Sequence, residues 1–116
     1  MSINCIDTTI NLANEYEIPI FLISSRRQID CEAHGKGYVN NMSTYEFSNY
    51  VNQRDKKGLI YLSRDHGGPW QSPIEKNNNY KLIDAMKSAK ESYLEDIKSG
   101  YKILHIDPSI DIHENP

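Results

Sequence analysis

Three short apolar runs are the most regular feature of the chain, and each gives way to polar residues. They cover residues 18–24 (IPIFLIS), 58–63 (GLIYLS) and 101–107 (YKILHID). Apolar residues at successive positions are typical of strands that are buried on both faces, as in a parallel sheet. Pro19 has no N–H group, so it suits the start of the first strand rather than its middle. The pattern therefore predicts three strands.

Helical spacing fills the segments before and between these strands. Residues 43–46 (STYE) form a capping-box pattern, which predicts a helix from Ser43 to about residue 53. A second helix is predicted over residues 3–16 by the spacing of three and four between Ile3, Ile6, Ile10 and Ala13. A third helix is predicted over residues 80–99, before a glycine that can end it. Its apolar positions, which fall on one face of a helix, are Leu82, Ile83, Met86, Ala89, Tyr93, Leu94 and Ile97.

The alternation of helices and strands predicts an α/β fold with about three parallel strands. Strands that are joined by helices of this length run parallel, with right-handed crossovers. Two architectures remain open at this point, a doubly wound sheet and a partial TIM (β/α)₈ barrel. A full barrel needs about 250 residues, and 116 residues hold three such units at most. We therefore expect residues 1–116 to form a single incomplete segment without a second domain.

Composition narrows the class of protein further. The net charge of −3 argues against a nucleic-acid partner, which usually needs a basic surface. No apolar run approaches the roughly 20 residues that cross a bilayer, so we expect no membrane partner. Cys5 and Cys31 lie outside any C-x-x-C spacing, and no secretory signal is visible at the amino terminus. A reducing, cytoplasmic location is the expectation that follows.

Polar side chains follow all three predicted strands, at the end where parallel α/β sheets and barrels bind ligands. They are Ser24, Ser25, Arg26, Arg27 and Gln28, then Ser63, Arg64, Asp65 and His66, then Asp107, Ser109 and Asp111. One polar strand end would be an ordinary loop. Three that meet at the same rim favour a binding site.

Asp65 and His66 are the sharpest pair on this rim. A neutral imidazole can bind a divalent metal, and the neighbouring carboxylate can move a proton or orient a metal-bound group. Taken alone, the dipeptide is more typical of a turn-capping Asp65 and a solvated His66. Arg26 and Arg27 could bind a sugar phosphate or lie in solvent. His105 alternates with Ile106 in the third strand, which is more typical of a core histidine than of a ligand.

Three segments of the chain resemble the non-catalytic subunit family of class II tagatose-bisphosphate aldolase. They are residues 21–51, residues 59–71 with the element Asp-His-x-Gly-Pro, and residues 85–111 with Lys-x-x-His-x-Asp-x-Ser. The resemblance implies carbohydrate metabolism and a barrel of which this chain supplies the second to fourth strands. It also implies that Asp65 is the proton donor and His66 a zinc ligand of an aldolase-type, carbon–carbon lyase site. Residues expected to bind the substrate, a phosphorylated sugar, are Ser25, Gln28, Arg64, Asp107 and Ser109.

Three interpretations follow, and the sequence leaves all of them open. The chain could belong to a metal-dependent aldolase-like barrel, although we expect these 116 residues to be inactive alone. It could be a stabilising or binding subunit that pairs with a catalytic aldolase subunit. It could also be an inactive fragment whose open sheet edges and apolar faces cause self-association.

Overall fold

The structure, a computed structural model, describes residues 2–108, 110, 112 and 113. Its elements are α1 (Ile3–Tyr16), β1 (Ile20–Ser24), α2 (Thr44–Arg54), β2 (Ile60–Gly67), α3 (Pro73–Asn77), α4 (Leu82–Lys98) and β3 (Ile103–Ile106). A short 3₁₀ turn at Glu32–His34 lies between β1 and α2. The predicted α/β class, the three strands and the three long helices are confirmed, whereas the 3₁₀ turn and α3 were not predicted.

The three strands form one parallel sheet in the order β1-β2-β3. Leu22 of β1 stands opposite Leu62 of β2 in a regular register. The ladder between β2 and β3 is irregular, because Arg64 pairs with Leu104 while Gly67 pairs with Ile106. Three steps along β2 therefore match two along β3, which is the extra residue of a β-bulge.

Local sequence explains where the helices begin. At α2 the Ser43 hydroxyl accepts a hydrogen bond from the Glu46 N–H at 3.1 Å, and the Glu46 carboxylate accepts one from the Ser43 N–H at 3.3 Å. The predicted capping box is thus present, and it satisfies amide groups that the first helical turn leaves free. Ser2 does the same for α1 by accepting from the Cys5 N–H.

One face of the sheet, which we call the covered face, packs against α1, α2 and α4. Leu22 and Leu62 point into a core that also contains Phe47 and Val51 of α2. The side chains of Phe47 and Val51 are fully buried. Other members of the core are Ile6, Ile10, Ile29, Val39, Met42 and Tyr101. The helices therefore lie together on one side of the three strands.

The opposite face, which we call the open face, has no helix against it in the part of the chain that the structure describes. Phe21, Ile23, Tyr61 and Ile103 alternate with the core residues of their strands and are between 36% and 53% exposed. Asp65 and His105 continue this face toward the carboxyl ends of β2 and β3. Apolar and ionisable side chains thus share one accessible surface.

Helix α4 turns an unexpected side toward the sheet. Five of the seven apolar residues that the spacing assigned to its packing face are exposed, from 45% for Leu94 to 76% for Ile83, whereas Ala89 is buried as predicted. The buried positions are small or polar: Ala85, Ser88, Ala89, Ser92 and Asp96. The expectation of an apolar packing face was wrong here because Asp96, Ser88 and Ser92 pair with charged groups beneath the helix.

In the described part of the chain, no helix is both long and apolar enough to cross a membrane.

Candidate functional site

Asp65, His66 and His105 form a cluster at the carboxyl ends of β2 and β3, on the open face. The Asp65 carboxylate lies 3.0 Å from Nδ1 of His105 and 3.3 Å from Nε2 of His66. One ligand atom from each of the three residues fits within 4.8 Å of the other two. All three side chains are roughly half exposed, so a ligand can reach them from solvent.

The spacing of these atoms fits a divalent cation. Metal–ligand bonds of about 2.0–2.2 Å in a tetrahedral arrangement place neighbouring ligand atoms about 3.3–3.5 Å apart. The two separations measured from Asp65 involve different oxygens, Oδ1 toward His105 and Oδ2 toward His66, and each is close to that value. Two imidazoles and one carboxylate are also the donor types that zinc accepts, and three protein ligands leave a position for water or substrate. The residues present therefore fit a zinc-like ion, although they do not identify the metal.

The backbone at His66 is unusual for a strand. Its φ of 46° lies in the left-handed region, which a residue with a Cβ atom seldom adopts. Such a conformation costs about 1–3 kcal/mol and persists only where the surroundings impose it. His66 lies in the irregular part of the ladder between Arg64 and Gly67, and backbone outliers of this kind gather at functional sites.

Asp107 joins the cluster from the residue that follows β3. Its carboxylate lies 2.8 Å from Nδ1 of His66, so the His66 ring stands between two carboxylates. The hydrogen bond to Asp107, and then the negative charge of Asp65, raise the pKa of His66 above its usual value. The two carboxylates therefore favour a positive charge between them, on the His66 ring.

Arg64 is placed away from the rim, on the covered face. Its side chain is 1% exposed and forms a two-pronged ion pair with Asp96, at 2.7 and 2.9 Å. The same guanidinium donates to the carbonyl oxygens of Ser24 and Ile29 and stacks over the Tyr101 ring. A side chain engaged in this way holds the core together, and the site described above does not include it.

Arg26 is likewise buried rather than exposed. It pairs with Asp30 at 3.0 Å and with Glu75 at 2.6 Å, and it donates to the Gly68 carbonyl at 2.8 Å. The Trp70 N–H also donates to Glu75. Arg26 therefore anchors the turn that follows His66 and is not free to bind a phosphate.

Ser25 and Gln28 face each other within the turn after β1. The Gln28 side-chain oxygen accepts from the Ser25 N–H at 2.9 Å, and the Ser25 hydroxyl accepts from the Gln28 N–H at 3.3 Å. In the described part of the chain, no hydrogen bond joins either side chain to Asp65 or His66. Ser109, the remaining residue expected at the site, lies outside the described residues.

His105 is the residue that the sequence misjudged. The alternation in β3 favoured a core histidine, yet its side chain is 54% exposed and hydrogen-bonds to Asp65. The alternation itself is present, since His105 shares a face with Ile103. The sequence did not indicate which face of the sheet the helices cover. Apolar residues occur on both sides of each strand, so they gave no signal for that choice.

A cavity of about 290 Å³ adjoins the cluster on the open face. Phe21, Ile23 and Ile103 form its apolar floor, and Asp65 and His105 lie at its rim. Ser63 lines it between the two isoleucines, with a hydroxyl that has no hydrogen-bond partner among the residues that the structure describes. A small ligand bound at the cluster would rest on this floor.

No protein-family model matches the chain, and no curated protein matches it. Among solved structures, it is similar to the crystal structure of a probable tagatose 6 phosphate kinase from Sinorhizobium meliloti 1021, with a TM-score of 0.75 and 22% sequence identity. The match covers 96% of this chain and 28% of that protein. The chain thus spans little more than a quarter of the length of its structural neighbour, and at this identity the likeness concerns the fold.

Proposed function

We propose that this chain supplies three βα units of a (β/α)₈ barrel whose strand ends bind a divalent metal and a phosphorylated sugar. The chemistry that suits such a site is aldolase-type cleavage or formation of a carbon–carbon bond. The observation that carries the proposal is the cluster of Asp65, His66 and His105 at the carboxyl ends of adjacent parallel strands. Active sites of barrel enzymes occupy this end.

The barrel is favoured over a doubly wound sheet by the position of the helices. A doubly wound sheet carries helices on both faces, whereas a barrel carries them only outside. Here α1, α2 and α4 share one side, and the other side presents half-exposed apolar residues that would line a barrel interior. Closing the barrel would need further strands beside β1 and β3, as a protein of the neighbour's length could provide.

Each residue of the cluster has a role in this proposal. His66 and His105 would hold the metal through ring nitrogens. Asp65 would either be a third metal ligand or move a proton at the substrate. A bound divalent ion polarises a carbonyl oxygen and so stabilises the negative charge that develops there. The apolar floor would keep water from the reacting carbons.

The substrate class draws on the structural neighbour and on the remaining residues of the rim. The neighbour is a probable kinase of a tagatose phosphate, which agrees with a sugar phosphate as ligand. Ser25, Gln28 and Ser109 stay in the proposal as substrate-binding residues, and Asp107 takes part through its contact with His66. Arg64 leaves it, because Asp96 and two backbone carbonyls occupy its guanidinium.

Cobalt binding tests the metal site directly. We expect the purified chain to bind Co²⁺ with a visible spectrum typical of nitrogen and oxygen ligands. Asp65→Ala and His66→Ala should weaken binding by more than the 10–100-fold that loss of an outer-shell partner causes. Asp84→Ala, which removes an exposed carboxylate from α4, is the control. No cobalt spectrum, or equal binding by all variants, would contradict the site.

Retro-aldol cleavage of tagatose 1,6-bisphosphate tests the chemistry. The assay should use the chain and a full-length relative, meaning a complete barrel protein that contains these three βα units, since we expect the 116 residues alone to be inactive. Activity of the relative that disappears when the residue equivalent to Asp65 is replaced by alanine supports the proposal. Full activity of that variant would rule out the catalytic role.

A second candidate is a non-catalytic subunit that stabilises a catalytic aldolase. The exposed apolar open face favours it, because a surface with Phe21, Ile23 and Ile103 half exposed suits a protein partner. Co-purification with a catalytic aldolase subunit, lost in Phe21→Ser, would support this function. Self-association that the same substitution abolishes would instead support the third interpretation, an incomplete fragment.

A further inference from the structure

We propose that Asp107 is a positioning residue, which fixes the tautomer and the orientation of the His66 ring so that Nε2 is free to bind the metal. The inference rests on the proposed metal site and assigns Asp107 a different task from direct contact with the substrate. It starts from the position of the His66 ring between two carboxylates that differ in distance and in exposure.

The two carboxylates are not equivalent. Asp107 lies 2.8 Å from Nδ1, a normal hydrogen-bond length, and Asp65 lies 3.3 Å from Nε2. The side chain of Asp107 is 13% exposed, whereas that of Asp65 is 42% exposed. The shorter and more buried hydrogen bond is the stronger of the two, since water competes with it less.

The chemistry of the ring follows from this difference. An ionised carboxylate can only accept a hydrogen bond, so Nδ1 of His66 must carry the proton that it donates to Asp107. In a neutral imidazole, Nε2 then carries the lone pair. Nε2 is the nitrogen that faces Asp65, where the metal would sit. Metal-binding histidines commonly donate their second nitrogen to a carboxylate in this manner.

Asp107 can act in this way because its backbone is held firmly. Its N–H donates to the Gly67 carbonyl at 2.6 Å, and its carbonyl accepts from the Gln71 side chain at 3.3 Å. A Cβ atom at Gly68 would lie 2.6 Å from the Asp107 carbonyl oxygen, so only glycine permits this close approach. The carboxylate is therefore tied to the same turn that follows His66.

The strained backbone of His66 supports the same assignment. A left-handed φ in a strand turns the side chain away from the direction that regular alternation would give it. The ring then reaches the Asp107 carboxylate while its far nitrogen faces Asp65. This single ring conformation makes both contacts, and a freely rotating ring would not keep them.

The tautomer can be measured without any metal. Long-range ¹H–¹⁵N correlation spectra of the full chain, recorded at a pH where the ring is neutral, should show His66 as the Nδ1–H form. Asp107→Ala should convert it to the Nε2–H form, because Asp65 becomes the remaining carboxylate acceptor. Asp65→Ala is the matched control and should leave Nδ1–H in place. An Nε2–H form in the unaltered protein, or Nδ1–H retained in Asp107→Ala, would overturn the inference.

Cobalt titration supplies the second measurement. Asp107→Ala should lower the affinity 10–100-fold while the visible spectrum of the bound ion keeps its form, as expected when an outer-shell partner is lost. Asp107→Asn keeps an acceptor oxygen and should recover part of that loss. Unchanged cobalt affinity in Asp107→Ala would overturn this inference but not the proposed metal site. A protein that binds no cobalt would overturn the proposed metal site, while the tautomer would still decide whether Asp107 positions the ring.

Discussion

The two faces of the sheet use the same kinds of side chain for opposite purposes. Arg64 and Asp65 are neighbours in the chain, yet Arg64 is 1% exposed on the covered face and the Asp65 side chain is 42% exposed on the open face. Each face also has a phenylalanine. Phe47 packs against the covered face and is buried, whereas Phe21 lies on the open face and is 53% exposed. Burial and partners, rather than residue type, therefore decide which residues are available to a ligand.

Charged groups on the covered face are consistently paired. Arg26 and Arg64 contact Asp30, Glu75 and Asp96, and none of these five side chains is more than 1% exposed. Burying ions is costly, and removing one partner leaves the other without compensation. On the open face the carboxylates and imidazoles remain in reach of solvent, so a cation or substrate can compete for them.

The largest effect should come from breaking a pair on the covered face. Asp96→Ala leaves the Arg64 guanidinium buried without its carboxylate, which should lower the free energy of unfolding by about 3–5 kcal/mol. Asp84→Ala on the same helix removes an exposed carboxylate and should change it by less than about 0.5 kcal/mol. Urea unfolding followed by circular dichroism measures both. Equal loss in the two variants would mean that the pair is not structural.

The two phenylalanines provide a matched test of the apolar side chains. Phe47 is fully buried and Phe21 is 53% exposed, so Phe47→Ala should cost about 3–5 kcal/mol of stability. Phe21→Ala should cost about 1 kcal/mol or less, mostly through its contact with Tyr61. The same urea experiment separates them. A large loss for Phe21→Ala would mean that the open face is packed in solution, for example against another copy.

The smallest effect concerns the pH dependence of the metal binding that we propose at the open face. Asp107 and Asp65 raise the pKa of His66, and the protonated ring has no lone pair for a cation. Cobalt affinity should therefore rise with pH by up to about tenfold per unit until the raised pKa is passed, and level off above it. The midpoint should lie above the ordinary histidine value of about 6.5. Titrations between about pH 5.5 and 8.5 should show this midpoint. A midpoint below about 6.5 would contradict the contacts of His66 with the two carboxylates.

The raised pKa also fixes the sign of the effect on stability. A pKa that is higher in the folded state than in the unfolded state means that protonation favours folding. The contribution of the His66 contacts is therefore present at low pH and is lost as the pH rises through the folded-state value. Metal binding and these contacts consequently have opposite pH dependence, and a metal-free control is needed in every titration.

Strong local signals in the sequence predicted most of the fold. The capping box at Ser43 and the helical spacing of residues 3–16 depend on neighbours a few positions apart, and both are confirmed. Strand β2 was predicted to end at residue 63, but it continues to Gly67 because β3 pairs with the segment beyond. A bulge of this kind depends on the partner strand, and the sequence of β2 alone does not contain it.

The candidate site was predictable in part. The rule that parallel strands bring their carboxyl ends together placed Asp65, His66 and Asp107 in one region, and the structure brings these three into contact. The same rule could not separate Arg64 from them, since the buried carboxylate that captures it lies 32 residues further along the chain. Helix α4 was misjudged for a related reason, because its polar residues meet partners from distant segments.

The extra residue in β2 has a consequence for moving this cluster to another protein. Two consecutive residues of a regular strand point to opposite sides, so Asp65 and His66 would be separated by the whole thickness of a sheet. The irregular ladder brings these adjacent side chains into one cluster. An engineer who copied the dipeptide into an ordinary parallel strand would obtain a single ligand, and would have to transplant the kinked backbone together with its glycine pair.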